Sequence, residues 1–215
     1  MKKAILLGLF IFAVSAVYSQ TGVIRELTGE VELKTAGSST FTAAREGSTV
    51  ARDTIISTGF RSTAIIVIGS TEITVRPLTR LTLAEIQRSS GTEDLNVNLQ
   101  AGRVRVNVTP PSGTRANTTV QTPSATASVR GTEFDMGVDH IEGYSGKTVY
   151  TGKNGLSASI TSGFKSQTTF TGNTTNPHST ATGGILPPIP GSGDSSDLGV
   201  PFEAEPGDIS FEFKF

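Results

Sequence analysis

Apolar and polar residues alternate with a period of two along most of this chain. Val31 and Leu33 flank Glu32, and Ile73 and Val75 flank Thr74. Leu81 and Leu83 repeat the pattern around Thr82, as do Leu95, Val97 and Leu99 around Asn96 and Asn98. Val104, Val106 and Val108 alternate with Arg105 and Asn107. A period of two puts one set of side chains on each face of an extended strand, so the pattern predicts half-buried β-strands. Ala64 to Ile68 is a continuous apolar run, which predicts a strand buried on both faces. Gly, Ser and Asn separate these segments, and no window of helical length after the first twenty residues keeps a 3.6 period. Many short strands with frequent turn signals predict an all-β fold, either a sandwich or barrel or a β-solenoid. Thr58-Gly59, Ala101-Gly102, Thr151-Gly152 and Ser162-Gly163 form a loose internal echo at irregular spacing. Stacked solenoid turns and two antiparallel sheets would both produce it.

Three segments depart from the pattern. Lys2 and Lys3 precede an apolar run, Ala4 to Val14, and small residues follow. This is the layout of a secretory signal peptide, predicted over residues 1–19 with cleavage after Ala16 or Ser19. The run is short of the roughly 20 apolar residues that span a bilayer. No second such run occurs, so no transmembrane helix is expected after its removal. Residues 171–206 are rich in Gly, Ser, Thr, Pro and Asn, with Leu186-Pro187-Pro188-Ile189-Pro190 at the centre. That composition buries little apolar surface and predicts a flexible linker. Residues 207–215 end in Ile209, Phe211, Phe213 and Phe215 alternating with Ser210, Glu212 and Lys214. They predict a strand that adds to a sheet edge, of this protein or of a partner.

The chain has no cysteine, so its core must suffice without disulfides and no lipid-anchored lipoprotein is formed. From Gln20 to Gly184 there are 15 Lys and Arg against 13 Asp and Glu; from Ile185 to Phe215 there is one Lys against six acids. Neither part has the concentrated basic face of a nucleic-acid binder. There is no Trp and only three Tyr, whereas glycan sites usually present exposed rings, so a protein partner is favoured over a cell-wall glycan.

No catalytic constellation is legible. Gly-x-Ser-x-Gly, Ser-x-x-Lys with its partner motifs, a phosphate loop and a dinucleotide fingerprint are all missing. His140 has Asp135, Asp139 and Glu142 nearby, but without zinc or EF-hand spacing it reads as part of a polar hairpin. No metal, cofactor or catalytic residue is predicted. Asn117-Thr118-Thr119 and Asn173-Thr174-Thr175 match glycosylation sequons and read as polar turns.

The most informative stretch is Thr122-Pro123-Ser124-Ala125-Thr126-Ala127-Ser128-Val129-Arg130-Gly131-Thr132-Glu133-Phe134. It resembles the signature of the FecR-domain family: Thr-Pro, small residues, then Val-Arg-Gly-Thr-x-Phe. Gly29-Glu30-Val31, Asp53-Thr54-Ile55, Thr58-Gly59 with Ser62 and Ala64, and Leu99 through Gly102 to Val106 match further pieces in order. The resemblance covers Gly22 to about Thr169. It implies an all-β, solenoid-like periplasmic domain, which in well-known members relays the state of an outer-membrane transporter to a sigma factor. No cytoplasmic segment precedes the signal-like run, so membrane-spanning regulation is not expected here.

The motif residues read first as structural. Phe134 and Val129 are expected in the core and Gly131 at a positive φ or close approach. Pro123 is expected at a strand start or edge, and Arg130 bonding backbone carbonyls across a turn. The alternative places Arg130 and Glu133 against a ligand. The combined expectation is a single FecR-like β domain over residues 22–170, then the linker and terminal strand. It would be exported to the periplasm or cell surface and act without catalysis on another envelope protein. Surface-glycan binding and association with the outer membrane are the alternatives.

Overall fold

Among the described residues, the alternation of Val, Ile and Leu with Thr, Asn and charged residues folds into two nine-stranded sheets that share one apolar core. The computed structural model describes residues 21–89 and 91–179. The expected signal peptide and the expected terminal strand carrying Ile209, Phe211, Phe213 and Phe215 lie outside the described residues, as does the expected linker beyond Ser179.

The first sheet contains β1 (Gly22–Thr28), β4 (Thr49–Val50), β6 (Thr63–Ile68), β7 (Thr71–Val75), β10 (Arg103–Val108), β13 (Glu133–Gly137), β14 (His140–Ser145), β17 (Phe164–Gln167) and β18 (His178–Ser179). The second contains β2 (Val31–Lys34), β3 (Thr42–Ala43), β5 (Ile55–Thr58), β8 (Arg80–Ser89), β9 (Thr92–Ala101), β11 (Arg115–Gln121), β12 (Ala125–Val129), β15 (Lys147–Gly152) and β16 (Ser157–Thr161). The spatial orders are β4-β1-β6-β7-β10-β13-β14-β17-β18 and β3-β2-β5-β8-β9-β11-β12-β15-β16. The chain therefore lays down a strand or hairpin in one sheet and crosses to the other; β3 and β4 fold back to the outer sides of β2 and β1, and from β5 onward the advance keeps one direction. This is a sandwich in its layers and solenoid-like in its progress. β9 and β11 pair in parallel, while the other paired strands run antiparallel. The reason is that β10, between them in sequence, crosses to the first sheet alone and returns the chain in its original direction.

The inward residues are those the alternation marks. Ile73, Val75, Leu81, Leu83, Val97, Leu99, Val104 and Val106 are all fully buried. Each aliphatic side chain of this kind contributes about 1.5–3 kcal/mol by leaving water. Ala64 to Ile68 departs from expectation. In β6 only Ala64, Ile66 and Ile68 are buried, while Ile65 and Val67 lie half-exposed on the outer face. Among the described residues no third layer covers that face. Ile65 instead sits beside Thr74, and Val67 between Val23 and Glu72.

The paired region also runs beyond Phe170, where composition alone ends the domain. Thr174 bridges Thr168, Ser166 Oγ donates to Thr175 O at 2.7 Å, and His178–Ser179 pairs with β17. These contacts need no apolar side chain, so a hydrophobicity pattern does not register them.

Hydroxyls stitch successive turns along one end of the sandwich. Ser62 Oγ accepts from Glu30 N at 2.8 Å, and Thr58 Oγ1 donates to Arg76 O at 2.6 Å. Thr79 Oγ1 accepts from Arg103 N at 3.0 Å, and Ser124 Oγ donates to Val138 O at 2.6 Å. At the other end Glu93 accepts from Ser70 N at 2.8 Å and Ser70 Oγ at 2.6 Å, tying the β6–β7 turn to the second sheet.

Candidate functional site

The motif from Thr122 to Phe134 is a turn, a strand and a crossing between sheets. Thr122, Pro123 and Ser124 form the tight turn between β11 and β12; Thr122 Oγ1 accepts from Ala125 N at 3.0 Å and also hydrogen-bonds Ala125 O. Val129 ends β12 in the core, and Phe134 is fully buried in β13. Between them Gly131 turns the chain at φ 74°. Thr132 is buried, its Oγ1 3.4 Å from that of Thr148.

Arg130 does not follow its structural expectation. It is exposed, and among the described residues neither a carbonyl nor a carboxylate pairs with its side chain. The physical reason is parity. Val129 points inward, so Arg130 points to the outer face of the second sheet, away from the carbonyls of the turn. Glu133 lies beyond the crossing, on the outer face of the first sheet, 3.7 Å from Arg105 Nε. Arg130 and Glu133 therefore face opposite sides of the sandwich and cannot share a ligand.

Arg130 instead meets residues from two other strands. Together with Asn117 and Thr119 of β11, Ser128 of β12, and Lys147 and Val149 of β15, it lines a shallow cleft of about 600 Å³. Strand register sets this grouping: Thr119 pairs with Ser128, and Ser128 with Val149. Val149 is 45% exposed, so an apolar contact lies open in the floor. Lys147, like Arg130, has no ionic partner among the described residues, and no acid lines the cleft. Two unpaired cations in one depression repel each other and set up a positive potential that an anionic group would relieve.

The adjoining depression has the opposite sign. Glu85, Asp94 and Asn96 line it and share Asn117 and Thr119 with the cationic cleft. Asn117 Nδ2 donates to Asp94 Oδ1 at 2.8 Å, and Asn96 Oδ1 is buried without a hydrogen-bond partner. The outer face of the second sheet is thus bipolar, acidic over β8–β9 and basic over β12–β15. Lys147, Asn117 and Thr119 escape a reading of sequence because parallel pairing of β9 with β11 is invisible in it. The available signal is the exposed phase of Lys147-Thr148-Val149, whose odd positions face outward.

The first sheet's outer face carries charges too, and Asp135 and Arg105 there are ion-paired, although Asp135 Oδ1 and Arg105 Nε are buried without a hydrogen-bond partner. Asp135 is buried and accepts from Arg76 Nε at 3.0 Å and Nη2 at 2.8 Å, with Arg103 Nε 3.4 Å from its other oxygen. Arg105 lies over the Tyr144 ring, 4.1 Å from its centre. Tyr150 is buried between the sheets, where its hydroxyl accepts from Thr168 Oγ1 at 2.6 Å; burial raises its pKa against that hydrogen bond.

His140 and Asp139 are the nearest approach to catalytic geometry. His140 Nδ1 lies 2.7 Å from Asp139 Oδ1, but its Nε2 is buried against no partner and the ring packs on Gly137. No nucleophile stands where a triad would need one. Among the described residues no three His, Cys, Asp or Glu group to hold a metal ion, and no helix is long and apolar enough to cross a membrane.

Residues 53–153 match the family described as FecR protein. That span contains every residue lining the cationic cleft. No curated protein sequence matches the chain. Two solved structures of a candidate anti-sigma factor from Parabacteroides distasonis ATCC 8503, at 1.65 and 2.50 Å resolution, align with TM-scores of 0.48 and 0.47 at 15% and 14% identity. In each the alignment covers 58% of this chain and 59% of that one, so the chain spans about three-fifths of the length of the structures it matches. Residues 53–153, with the Val-Arg-Gly-Thr-x-Phe core within them, are thus a FecR domain carried by this chain.

Proposed function

We propose that this protein is an exported, non-catalytic FecR module that binds another protein of the cell envelope through the outer face of its second sheet. The observation that carries the reading is the cleft in which Arg130 and Lys147 stand together without a carboxylate. A partner segment bearing Asp or Glu would neutralise both cations. An aliphatic residue beside it would cover Val149, and the hydroxyls of Thr119 and Ser128 would hydrogen-bond its backbone. Charged groups arranged in this way steer encounter and fix orientation, so the contact should be salt-sensitive.

No aromatic ring lines the cleft. That absence speaks against a glycan, which stacks on rings. The terminal segment adds a second contact in this reading: Ile209, Phe211, Phe213 and Phe215 alternate as a strand would when added to a partner's sheet. Export rests on the signal-like residues 1–19. The non-catalytic part is supported by His140, whose free ring nitrogen meets no hydroxyl.

The test is crosslinked capture from cell envelope with the partner identified by mass spectrometry. Arg130→Glu with Lys147→Glu should abolish capture of the partner that wild type retains, and rising salt should weaken the wild-type contact in parallel. Deleting residues 208–215 should reduce capture while leaving the melting temperature unchanged. Capture indifferent to both charge reversals would exclude the cleft. Robust hydrolysis of wall fragments or peptides by the pure protein would exclude the non-catalytic reading.

A further inference from the structure

The stitched end of the sandwich displays large apolar side chains to water. Phe60 is 72% and Leu78 62% exposed, and Phe170 is exposed completely. They lie on one continuous line. Leu78 N donates to Gly59 O at 3.2 Å, which sets the two turns side by side. A Cβ added to Gly102 would stand 2.7 Å from Leu78 O, so the Ala101-Gly102 turn abuts Leu78. From there a mainly apolar cleft of about 480 Å³ leads past Pro123 and Val138 to Phe170. The line runs from β6 to β17, five strand spacings, or about 24 Å.

The backbone is held in an unfavourable form to make this display. Arg61 has φ 55° and Leu78 φ 56°, a region that glycine or asparagine would occupy with less strain. A bulky apolar side chain on strained backbone and in water is disfavoured twice over. Such features persist where something besides the isolated fold selects them.

The two ends of the line are complementary to each other. At one end Phe60 projects, with the Arg61 guanidinium 5.4 Å from its ring centre and no carboxylate paired with it. At the other end an open apolar cleft beside Phe170 carries Asp139, whose side chain is 70% exposed and bonded only to His140 among the described residues. A two-fold axis through the middle of the line superposes each end on the other.

We propose that this end of the sandwich is a homodimer interface with antiparallel packing. Phe60 enters the cleft beside the partner's Phe170, and Arg61 meets the partner's Asp139, twice over by symmetry. Leu78 lies toward the axis. An isologous contact of this kind closes on itself and stops at two copies. A line of about 24 Å is short beside a typical interface of about 800 Å² per partner, so association should be sought up to high micromolar concentration. The interface is independent of the cleft at Arg130.

Sedimentation equilibrium of the purified full chain, from low to high micromolar concentration, tests the proposal. A monomer–dimer equilibrium is expected. Phe60→Asp and Phe170→Asp should each raise the dissociation constant by about 30-fold or more, the size of an interface hot spot. Both side chains are exposed, so the melting temperatures should not fall. Arg61→Asp alone should weaken the dimer, and adding Asp139→Arg to the same chain should restore it. A monomer at every concentration overturns the proposal. So does a dimer indifferent to Phe60→Asp, or a charge reversal without rescue. A monomer that binds phosphatidylglycerol vesicles through the same phenylalanines would identify the end as a lipid-binding surface instead.

Discussion

Leu78 shows how a single position can be read against its neighbours. A left-handed backbone costs a side-chain-bearing residue about 1–2 kcal/mol, and glycine gives part of that back as unfolded-chain entropy. Leu78→Gly should therefore raise stability by about 1 kcal/mol in urea denaturation, while weakening self-association. Asp135 is the opposite case. It is buried, bonded twice by Arg76 and approached by Arg103. Its partners are partly open to solvent, which screens the pairing, so Asp135→Ala should cost about 1–3 kcal/mol, visible as a lower urea midpoint. Some of this was legible residue by residue. Val129 and Phe134 fall in the core by their alternation, and the parity that buries Val129 turns Arg130 outward. What the motif's spacing does not reveal is which side chains flank Arg130, because that is set by pairing with β11 and β15.

At the scale of elements, strands were easy to find and their connections were not. Every alternating segment from Val31 to Val108 became a strand with its apolar residues inward. The uniform run in β6 misled because apolar residues on an outer face look the same in sequence as residues beneath a third layer. The ties between elements are polar and almost unreadable in advance. Glu93 is one. Burial acts to raise its pKa, but hydrogen bonds from the Ser70 hydroxyl and amide, with the charge of Arg88, outweigh it and hold the carboxyl below its ordinary 4.5. A depressed carboxylate stabilises the fold above its unfolded pKa and loses that contribution as pH falls through the folded value. The stability gap between wild type and Glu93→Gln should thus be widest near neutrality. It should close as pH drops below about 4.5, measured by thermal melts across pH.

For the molecule as a whole, the advance of the chain through two sheets dictates where stability is concentrated. β7, β10 and β13 are flanked on both sides and covered by the second sheet, while β3, β4 and β18 are two-residue edges. Hydrogen exchange should open the edges first and protect the amides of β7, β10 and β9 longest, a ranking that peptide-level mass spectrometry can check. The all-β class and the family were legible from alternation and one motif. The bipolar face and the apolar end were not, since each is assembled from strands or turns far apart in sequence.

The same advance has a genealogical consequence. Because each crossing from β8 onward places new strands beside the last ones laid down in that sheet, a pair of hairpins can be gained or lost there without disturbing those already in place. Among the described residues no strand ties the far edge of the sandwich back to β4. Length is therefore a free variable of this architecture, and relatives can differ in strand number while keeping the central strands and the Arg130 face intact.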